Sequence, residues 1–217
     1  MKYKLIVFDW DGTLMDSIAK IVACMRISIK QVRLPHRDDS KLRDIIGLGL
    51  QEAITSLYPD ITTVEYESLV DCYRNHFLFK DDTPSVLFSG AHEMMADLNK
   101  QGYYLAVATS KGRVGLDLVL NETNMGAHFH ATRCADEAFS KPHPKMLLDI
   151  MDELGVDADE TLMVGDTEYD LQMAQNARCD SLGISHGVHP ASRLEKLDPV
   201  ACVEDLHAMR NWFAAIK

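Results

Sequence analysis

The sequence has no long hydrophobic run, and its first apolar stretch, LIVF, ends at Asp9 after four residues. That is too short for a signal peptide or a membrane span, so we expect a cytoplasmic protein without a membrane partner. The five cysteines are odd in number and never spaced as CxxC, which argues against both a disulfide framework and a zinc site. We expect them to be small buried hydrophobic residues.

The chain also lacks an excess of positive charge. Its 22 Lys and Arg are outnumbered by 33 Asp and Glu, which gives a net charge of -11 at pH 7. This balance argues against a nucleic-acid partner. With 217 residues, 47% of them hydrophobic, the chain is long enough for one sizeable core with a smaller unit attached. Composition leaves the oligomeric state open between monomer and homodimer.

Short runs rich in Val, Ile and Leu recur along the chain, and each ends at a polar residue. They are LIVF before Asp9, LAVA before Thr109, LMVG before Asp166 and SLGI before Ser185. Such runs are typical of strands buried on both faces, and the helical patterns between them indicate βαβ units. The predicted fold is therefore α/β, with a doubly wound parallel sheet. Because ligands bind beyond the carboxyl ends of such strands, Asp9, Thr109 and Asp166 should meet in space.

A long helical segment follows the first strand and predicts a second structural unit. Helical periodicity continues from about Ser17 to Thr83, and Pro84 disfavours helix at the residue before it. We therefore predict a catalytic core of residues 1–16 and 84–217, with an α-helical cap of residues 17–83 inserted after the first strand. Further helices are predicted at about 90–101, 112–121, 144–155, 168–177 and 203–216.

Two pairs of carboxylates stand at predicted strand ends. Asp9 and Asp11 lie in DWDGT and point the same way if the chain stays extended, while Asp166 and Asp170 lie in GDTEYD. Like charges about 4 Å apart repel by roughly 4 kcal/mol at an effective dielectric near 20, so something must offset their repulsion. Oxygen ligands with no His or Cys nearby suit Mg²⁺ best. Alone, however, DWDGT also fits an Asp-Gly turn.

Two further segments supply groups that can bind an anion. Thr109 and Ser110 follow a strand and precede a helix, although a helix N-cap explains them equally well. Lys141, in SKPHPK, can reach the same edge of the sheet, although a solvated surface lysine is the ordinary case. Together, a nucleophilic carboxylate, a second carboxylate, a Mg²⁺ site, hydroxyl donors and a lysine form a complete apparatus for phosphoryl transfer.

The same residues resemble those of a known family. DWDGT resembles the DxDGT signature of the haloacid dehalogenase superfamily, and Thr109-Ser110, Lys141 and GDTEYD are similar to its second, third and fourth motifs in the right order. The helical insertion resembles the cap of the subfamily that includes phosphoglycolate phosphatases, and IIGLGL at 45–50 resembles that cap's substrate-facing loop. The resemblance implies a Mg²⁺-dependent phosphatase that hydrolyses a small phosphorylated metabolite through an aspartyl-phosphate.

The resemblance also implies a role for each motif residue. Asp9 would be the nucleophile and a Mg²⁺ ligand, and Asp11 the general acid-base, with its backbone carbonyl also on the metal. The other implied roles are metal ligand for Asp166, support of the metal site for Asp170, phosphate binding for Thr109 and Ser110, and charge neutralisation between phosphate and nucleophile for Lys141.

Several alternatives stay open at this point. Asp11 favours phosphate chemistry over dehalogenation, but it does not separate a phosphatase from a pyrophosphatase or a β-phosphoglucomutase-like phosphotransferase. A receiver-like signalling module or a non-catalytic binding protein fits less well, because a cap follows the first strand and every catalytic residue type is present. Ser110 departs from the Thr-Asn-Lys of many phosphoglycolate phosphatases, whereas Lys111 fits it.

Substrate contacts in the cap are guesses at this stage. The candidates are Arg43, Leu48, Gln51 and Arg74. His186 and His189, in ISHGVH, fit a loop after a strand better than a metal pair, and the 11 methionines are expected to fill the core.

Overall fold

The computed structural model describes residues 2–216, and a six-stranded parallel sheet lies at its centre. Eight strands occur in this range: β1 (Leu5–Phe8), β2 (Met15–Asp16), β3 (Val86–Leu87), β4 (Tyr104–Thr109), β5 (Ala131–Cys134), β6 (Thr161–Gly165), β7 (Asp180–Ile184) and β8 (Ala201–Val203). The large sheet has the order β5-β4-β1-β6-β7-β8 and is parallel throughout. The predicted α/β class is confirmed.

Ten α-helices occur in the described residues. They are α1 (Ile18–Val32), α2 (Asp39–Asp44), α3 (Leu50–Leu57), α4 (Thr63–Asn75), α5 (Ala91–Lys100), α6 (Arg113–Glu122), α7 (Lys145–Leu154), α8 (Glu168–Ala177), α9 (Ala191–Leu194) and α10 (Leu206–Ala215), all within residues 2–216. Helices α1 to α4 fill the long predicted helical segment, and the others follow in the sheet domain. A π-helical turn, His76–Lys80, continues α4. None of the helices in this range is both long enough and apolar enough to cross a bilayer.

Both faces of the sheet are covered, which explains the uninterrupted apolar sequence of the central strand. Ile6 and Phe8 of β1 belong to a cluster with residues of α5 and α10, whereas Leu5 and Val7 pack on the opposite side with residues of α7 and α8. Because side chains alternate along a strand, a strand covered on both faces needs an apolar residue at every position. This arrangement confirms the prediction of a doubly wound sheet.

Helices α1 to α4 share a hydrophobic cluster of their own, in which Leu42, Ile54 and Leu69 are fully buried. The chain leaves the sheet domain along β2 and returns along β3, and these two short strands pair antiparallel, with Met15 opposite Leu87. These observations support the predicted cap. Its boundaries at residues 17 and 83 stay a prediction.

Some sequence expectations need correction. The predicted helix at 203–216 begins at Leu206, because Ala201–Val203 pairs with β7 as edge strand β8. Strand β5 was not predicted, because ATRC carries polar side chains at an edge of the sheet. Cys24 and Cys134 are buried as expected, but the other three cysteines are only half-buried. Ten of the 11 methionines are buried in the described range, as expected.

Candidate active site

Three buried carboxylates meet where β1 and β6 end. Asp9 directly follows β1, Asp166 directly follows β6, and Asp170 lies in the first turn of α8. Each offers an oxygen atom within 4.8 Å of the others, and all three residues are at most 2% exposed. The predicted meeting of the two strand ends therefore occurs, and Asp170 joins them from the adjoining helix.

Lys141 is the cation that faces this cluster. Its Nζ lies 2.8 Å from Oδ1 of Asp9 and donates a hydrogen bond of 2.6 Å to Oδ1 of Asp170. Burial alone would lower the pKa of Lys141, but the attraction of Asp170 and Asp9 outweighs it and raises that pKa. Lys141 is thus a buried, charged residue with two carboxylate partners, and not a solvated surface lysine.

One lysine does not balance three carboxylates. Burial raises the pKa of Asp9 to about 7, with Lys141 opposing the shift and repulsion from Asp170 and Asp11 adding to it. Burial also raises the pKa of Asp166 well above its usual value, and repulsion from Asp9 and Asp170 adds to that shift. A divalent cation would remove this excess of negative charge. The oxygen-only donor set is the one that Mg²⁺ prefers, so these residues fit the predicted metal.

The backbone closes tightly around Asp166. Its Oδ1 accepts a hydrogen bond of 2.8 Å from Thr13 Oγ1, and its Oδ2 accepts one of 2.8 Å from the Val188 backbone N–H. A Cβ atom at Gly12 or Gly187 would lie only 2.2 or 2.1 Å from Oδ2 of this carboxylate. Gly12 also has a φ of +88°, which allows the sharp exit from DWDGT. Glycine is therefore needed on both sides of the carboxylate.

Asp170 is fixed by its own helix as well as by Lys141. Its Oδ2 accepts hydrogen bonds of 3.0 Å from the Thr167 backbone N–H and 2.7 Å from Thr167 Oγ1, and the first of these belongs to the capping box that Thr167 and Asp170 form at the start of α8. Its Oδ1 faces Lys141. This carboxylate thus orients the lysine, which in turn contacts Asp9.

Asp11 lies outside the three-carboxylate cluster. Trp10 is buried in the core, so Asp9 and Asp11 lie on the other side of the chain, and both line one cavity. Asp11 accepts a hydrogen bond of 2.5 Å from Ser17 Oγ and forms an ion pair of 3.0 Å with Lys111 Nζ. The Ser17 side chain therefore holds Asp11 and makes no capping hydrogen bond to α1.

Thr109 and Ser110 have different partners. Thr109 is buried at the end of β4, and its Oγ1 accepts a hydrogen bond of 3.1 Å from the Lys111 backbone N–H. Ser110 Oγ donates a hydrogen bond of 2.6 Å to the Gly47 carbonyl in the predicted substrate-facing loop. Neither residue caps a helix, because α6 begins at Arg113 with Gly112 as its N-cap. Ser110 instead ties the cap loop to the edge of the sheet.

A cavity of about 660 Å³ opens beside these groups, and cap residues 45–53 form part of its wall. Three of the four cap candidates line it: Leu48, Gln51 and Arg74. Arg43 is not among the lining residues and lies exposed on α2, because that short helix turns Leu42 towards the hydrophobic cluster. The structure therefore does not bring Arg43 to this site.

Comparison with known proteins identifies the family. The sequence pattern described as haloacid dehalogenase-like hydrolase matches residues 6–184. The chain belongs to this family. The prediction that the protein is a hydrolase of the phosphatase type is confirmed.

Two relatives of this haloacid dehalogenase-like hydrolase carry names that mention a phosphatase. One, named "Probable phosphatase IndB", from Dickeya dadantii strain 3937, is 35% identical over 92% of this chain and 89% of its own length. A phosphoglycolate phosphatase from Nitrosococcus oceani is 27% identical over 96% of this chain and 95% of its own. The crystal structure of a hydrolase from Pseudomonas syringae has the same fold, with a TM-score of 0.90, 23% identity and 99% coverage of both chains.

The sequence interpretation missed two residues of this haloacid dehalogenase-like site. Lys111 and Ser17 both contact Asp11, and neither was among the candidates. Lys111 follows Thr109-Ser110 directly, so its position next to a motif was a usable signal. Nothing comparable pointed to Ser17, because a Ser before a helix usually caps it.

The two histidines of ISHGVH lie in the loop after β7, as predicted. His186 stacks on Phe88 with ring centroids 3.8 Å apart, and burial lowers its pKa. His189 Nδ1 accepts a hydrogen bond of 3.0 Å from the Glu168 backbone N–H. Within residues 2–216, neither histidine belongs to a group that can hold a metal. Their contacts with Phe88 and Glu168 hold the loop that closes over Asp166.

Proposed function

We propose that this protein is a Mg²⁺-dependent phosphomonoesterase that hydrolyses a small phosphorylated metabolite through an aspartyl-phosphate on Asp9. The observation that supports this best is the buried group of Asp9, Asp166 and Asp170 around Lys141. Such a group needs a cation, and it leaves Asp9 at the wall of a cavity that can receive a substrate. A cytoplasmic location, a monomeric or homodimeric state and the lack of a nucleic-acid partner stay predictions.

In the first step a carboxylate oxygen of Asp9 attacks phosphorus, and the bond between phosphorus and the leaving oxygen breaks. Asp11 gives its proton to that oxygen, so the alcohol leaves neutral. In the second step Asp11 takes a proton from water, whose oxygen attacks the phosphorus of the aspartyl-phosphate. The bond between phosphorus and the Asp9 oxygen breaks, which releases inorganic phosphate and restores the Asp9 carboxylate. Asp9 and the protonated Asp11 are then ready for another cycle.

The remaining residues hold charge and position. Asp9, Asp166 and the Asp11 carbonyl would hold Mg²⁺, with Asp170 supporting the site through Lys141. When bound, Mg²⁺ supplies Lewis-acid neutralisation of the phosphoryl oxygens. Lys141 offsets negative charge between Asp9 and the incoming phosphate, and Thr109 offers its hydroxyl group to the transferred oxygens. Ser110 would do the same by exchanging its hydrogen bond to the Gly47 carbonyl for one to the phosphoryl group.

The first test is phosphate release from p-nitrophenyl phosphate, with Mg²⁺ and with EDTA, by the native protein and by Asp9→Asn. Loss of the nucleophile should lower kcat by at least about 10⁴-fold. Asp16→Asn is the matched control, because Asp16 is an exposed carboxylate of the same segment and is not among the cavity-lining residues. Rapid acid quench with peptide mass spectrometry should find a phosphoryl group on the peptide that contains Asp9.

Activity in Asp9→Asn close to that of the native protein would contradict the proposal. So would full activity in EDTA. Transfer of the phosphoryl group to a second hydroxyl of a sugar phosphate, without release of inorganic phosphate, would instead identify a mutase.

A further inference from the structure

The cavity beside Asp9 is large for the smallest metabolites. Its volume of about 660 Å³ lies within the range of pockets that enclose ligands the size of a drug molecule, roughly 300 to 1,000 Å³. Phosphoglycolate has a single acetate unit beyond its phosphate, so most of this space would remain unfilled around it. The size of the cavity therefore favours a substrate with a bulkier organic group.

Apolar and aromatic side chains make up much of the cavity wall. The cap contributes most of them, among them Leu48, Tyr66, Tyr73 and Phe77. The sheet domain adds Val114 and Phe139, which are 63% and 64% exposed although both are large hydrophobic residues. Apolar side chains left open at a cavity are suited to a ligand that covers them.

Positive charge is scarce on the same wall. Only Lys111 and Arg74 are cations among its lining residues, and Lys111 is already paired with Asp11. Glu52 and Asp136 add negative charge there. A substrate with a carboxylate or a second phosphate on its organic group would find Arg74 as the one lining cation that is not already paired with a carboxylate. An uncharged organic group avoids this mismatch.

Polar but uncharged groups complete the wall. Gln51, Ser140, Tyr66 and Tyr73 line it. Such groups can orient the hydrogen-bonding edge of a ring while the apolar side chains pack against its faces.

From these observations we infer that the substrate is a phosphate monoester whose organic group is uncharged and carries a ring, packed against Leu48, Val114 and Phe139. This inference rests on the proposed phosphatase function and narrows its substrate class. It excludes short carboxylic acids such as phosphoglycolate, and pyrophosphate, as the preferred substrates.

Three alkyl esters with similar leaving groups test the inference. They are 2-phenylethyl phosphate, ethyl phosphate and phosphoglycolate, each assayed for phosphate release with Mg²⁺. We expect kcat/KM for 2-phenylethyl phosphate to exceed that for each of the other two by at least about tenfold, because burial of a ring in a hydrophobic pocket is worth more than burial of a methylene.

Phe139→Ala should remove much of this preference. It should lower kcat/KM for 2-phenylethyl phosphate by about five- to tenfold and leave that for ethyl phosphate within about twofold, since an exposed side chain contributes little to folding. Phe79→Ala is the matched control, because Phe79 is 75% exposed and is not among the residues that line the cavity. In Phe79→Ala, kcat/KM should stay unchanged for both esters.

The outcomes separate the two proposals. Preference for phosphoglycolate, especially a preference that Arg74→Gln abolishes, would overturn the inference while the phosphatase function stands. Equal rates for the ethyl and phenylethyl esters would do the same. No phosphate release from any of the three esters or from p-nitrophenyl phosphate would overturn the proposed function, and this inference with it.

Discussion

The two ends of the cavity hold their side chains in opposite ways. At the sheet end, Asp9 and Thr109 are almost completely buried, and Lys141 and Asp170 directly behind them are buried and hydrogen-bonded to each other. The second region, which we call the far end, consists of Phe139, Val114 and Arg74. The first two are mostly exposed, and Arg74 forms no ion pair with another side chain of residues 2–216. The side chains of the sheet end are therefore held in place before a substrate arrives, and we call it the fixed end. The exposed side chains of the far end have room to change rotamer around a substrate, and we call it the adaptable end.

This difference follows from what each end has to do. Charge that develops during phosphoryl transfer is stabilised most by groups already in place in a water-poor site. Packing against an organic group tolerates many shapes, because hydrophobic contact is not directional. We therefore expect the fixed end to determine which reaction occurs and the adaptable end to select the substrate.

Removal of the buried cation tests the fixed end and should have the largest effect on stability. In Lys141→Met, Asp9 and Asp170 lose their partner, and one broken buried pair typically costs about 3 to 5 kcal/mol. Urea denaturation without Mg²⁺ measures the loss. In Lys145→Met the exposed lysine of the pair with Asp149 is removed, and the expected change is below about 1 kcal/mol. Equal midpoints for the two variants would mean that burial does not distinguish these lysines.

A second prediction concerns how Asp11 is held. Lys111→Gln removes the cation that faces Asp11 and should lower kcat/KM for ethyl phosphate by about 10- to 100-fold, because proton transfer by a positioned group contributes about 10² to 10⁴. The loss should be much smaller for p-nitrophenyl phosphate, whose leaving group needs no proton. Lys111→Arg should restore part of the rate.

A merely structural role for Lys111 would give a different pattern. Both esters would then lose activity to the same extent, and Lys111→Arg would leave their ratio unchanged. The comparison of the two leaving groups thus separates a positioning residue from a packing residue.

Metal affinity should depend on pH at the fixed end. Because the pKa of Asp9 is raised to about 7, the free carboxyl group holds a proton at pH 6 that Mg²⁺ must displace, whereas at pH 8 it is ionised. Titration calorimetry should therefore show Mg²⁺ binding at least about tenfold weaker at pH 6 than at pH 8, since the raised pKa of Asp166 acts in the same direction. Asp9→Asn should lose much of this dependence.

The same shift has a consequence for the metal-free protein. Its folded state retains a proton that the unfolded chain releases, so stability falls as pH rises from the ordinary pKa of an aspartate towards 7. A Mg²⁺ affinity that does not change between pH 6 and pH 8 would contradict the role of Asp9 as a ligand.

The sequence predicted the fixed end better than the adaptable one for a physical reason. Asp9 and Asp166 directly follow strands and Thr109 ends one, and in a parallel sheet the strand ends meet at one edge whatever the loops do. The partners of Asp11 could not be found this way, because Gly12 turns the chain and the side chains beyond it take directions that only the folded structure sets.

Local pattern explains the outcome in the cap as well. In KLRDIIG, Leu42 and Ile45 are buried at helical spacing, which leaves the intervening Arg43 in solvent. Leu48 and Gln51 follow in the loop and helix that face the cavity, but nothing in the sequence fixes how that loop contacts the sheet. Its position depends on hydrogen bonds between distant residues, such as the one from Ser110 to the Gly47 carbonyl.

Those loop contacts carry the smallest expected effect, and they mark the boundary between the two ends. Ser140 Oγ accepts a hydrogen bond of 2.7 Å from the Gly49 backbone N–H, as Ser110 holds Gly47. One neutral hydrogen bond contributes about 0.5 to 1.5 kcal/mol, so Ser140→Ala should raise KM about two- to twelvefold and leave kcat unchanged. Steady-state kinetics with 2-phenylethyl phosphate measures both constants.

Ser110→Ala sharpens this comparison, because Ser110 is also proposed to bind phosphate. If Ser110 only holds the loop, its variant should match Ser140→Ala in both KM and inhibition by inorganic phosphate. We expect it to differ: inorganic phosphate should inhibit Ser110→Ala several-fold more weakly than Ser140→Ala, because only Ser110 lies beside Thr109 at the end of β4. Equal inhibition constants would assign Ser110 to the adaptable end of the cavity and leave Thr109 as the phosphate-binding hydroxyl.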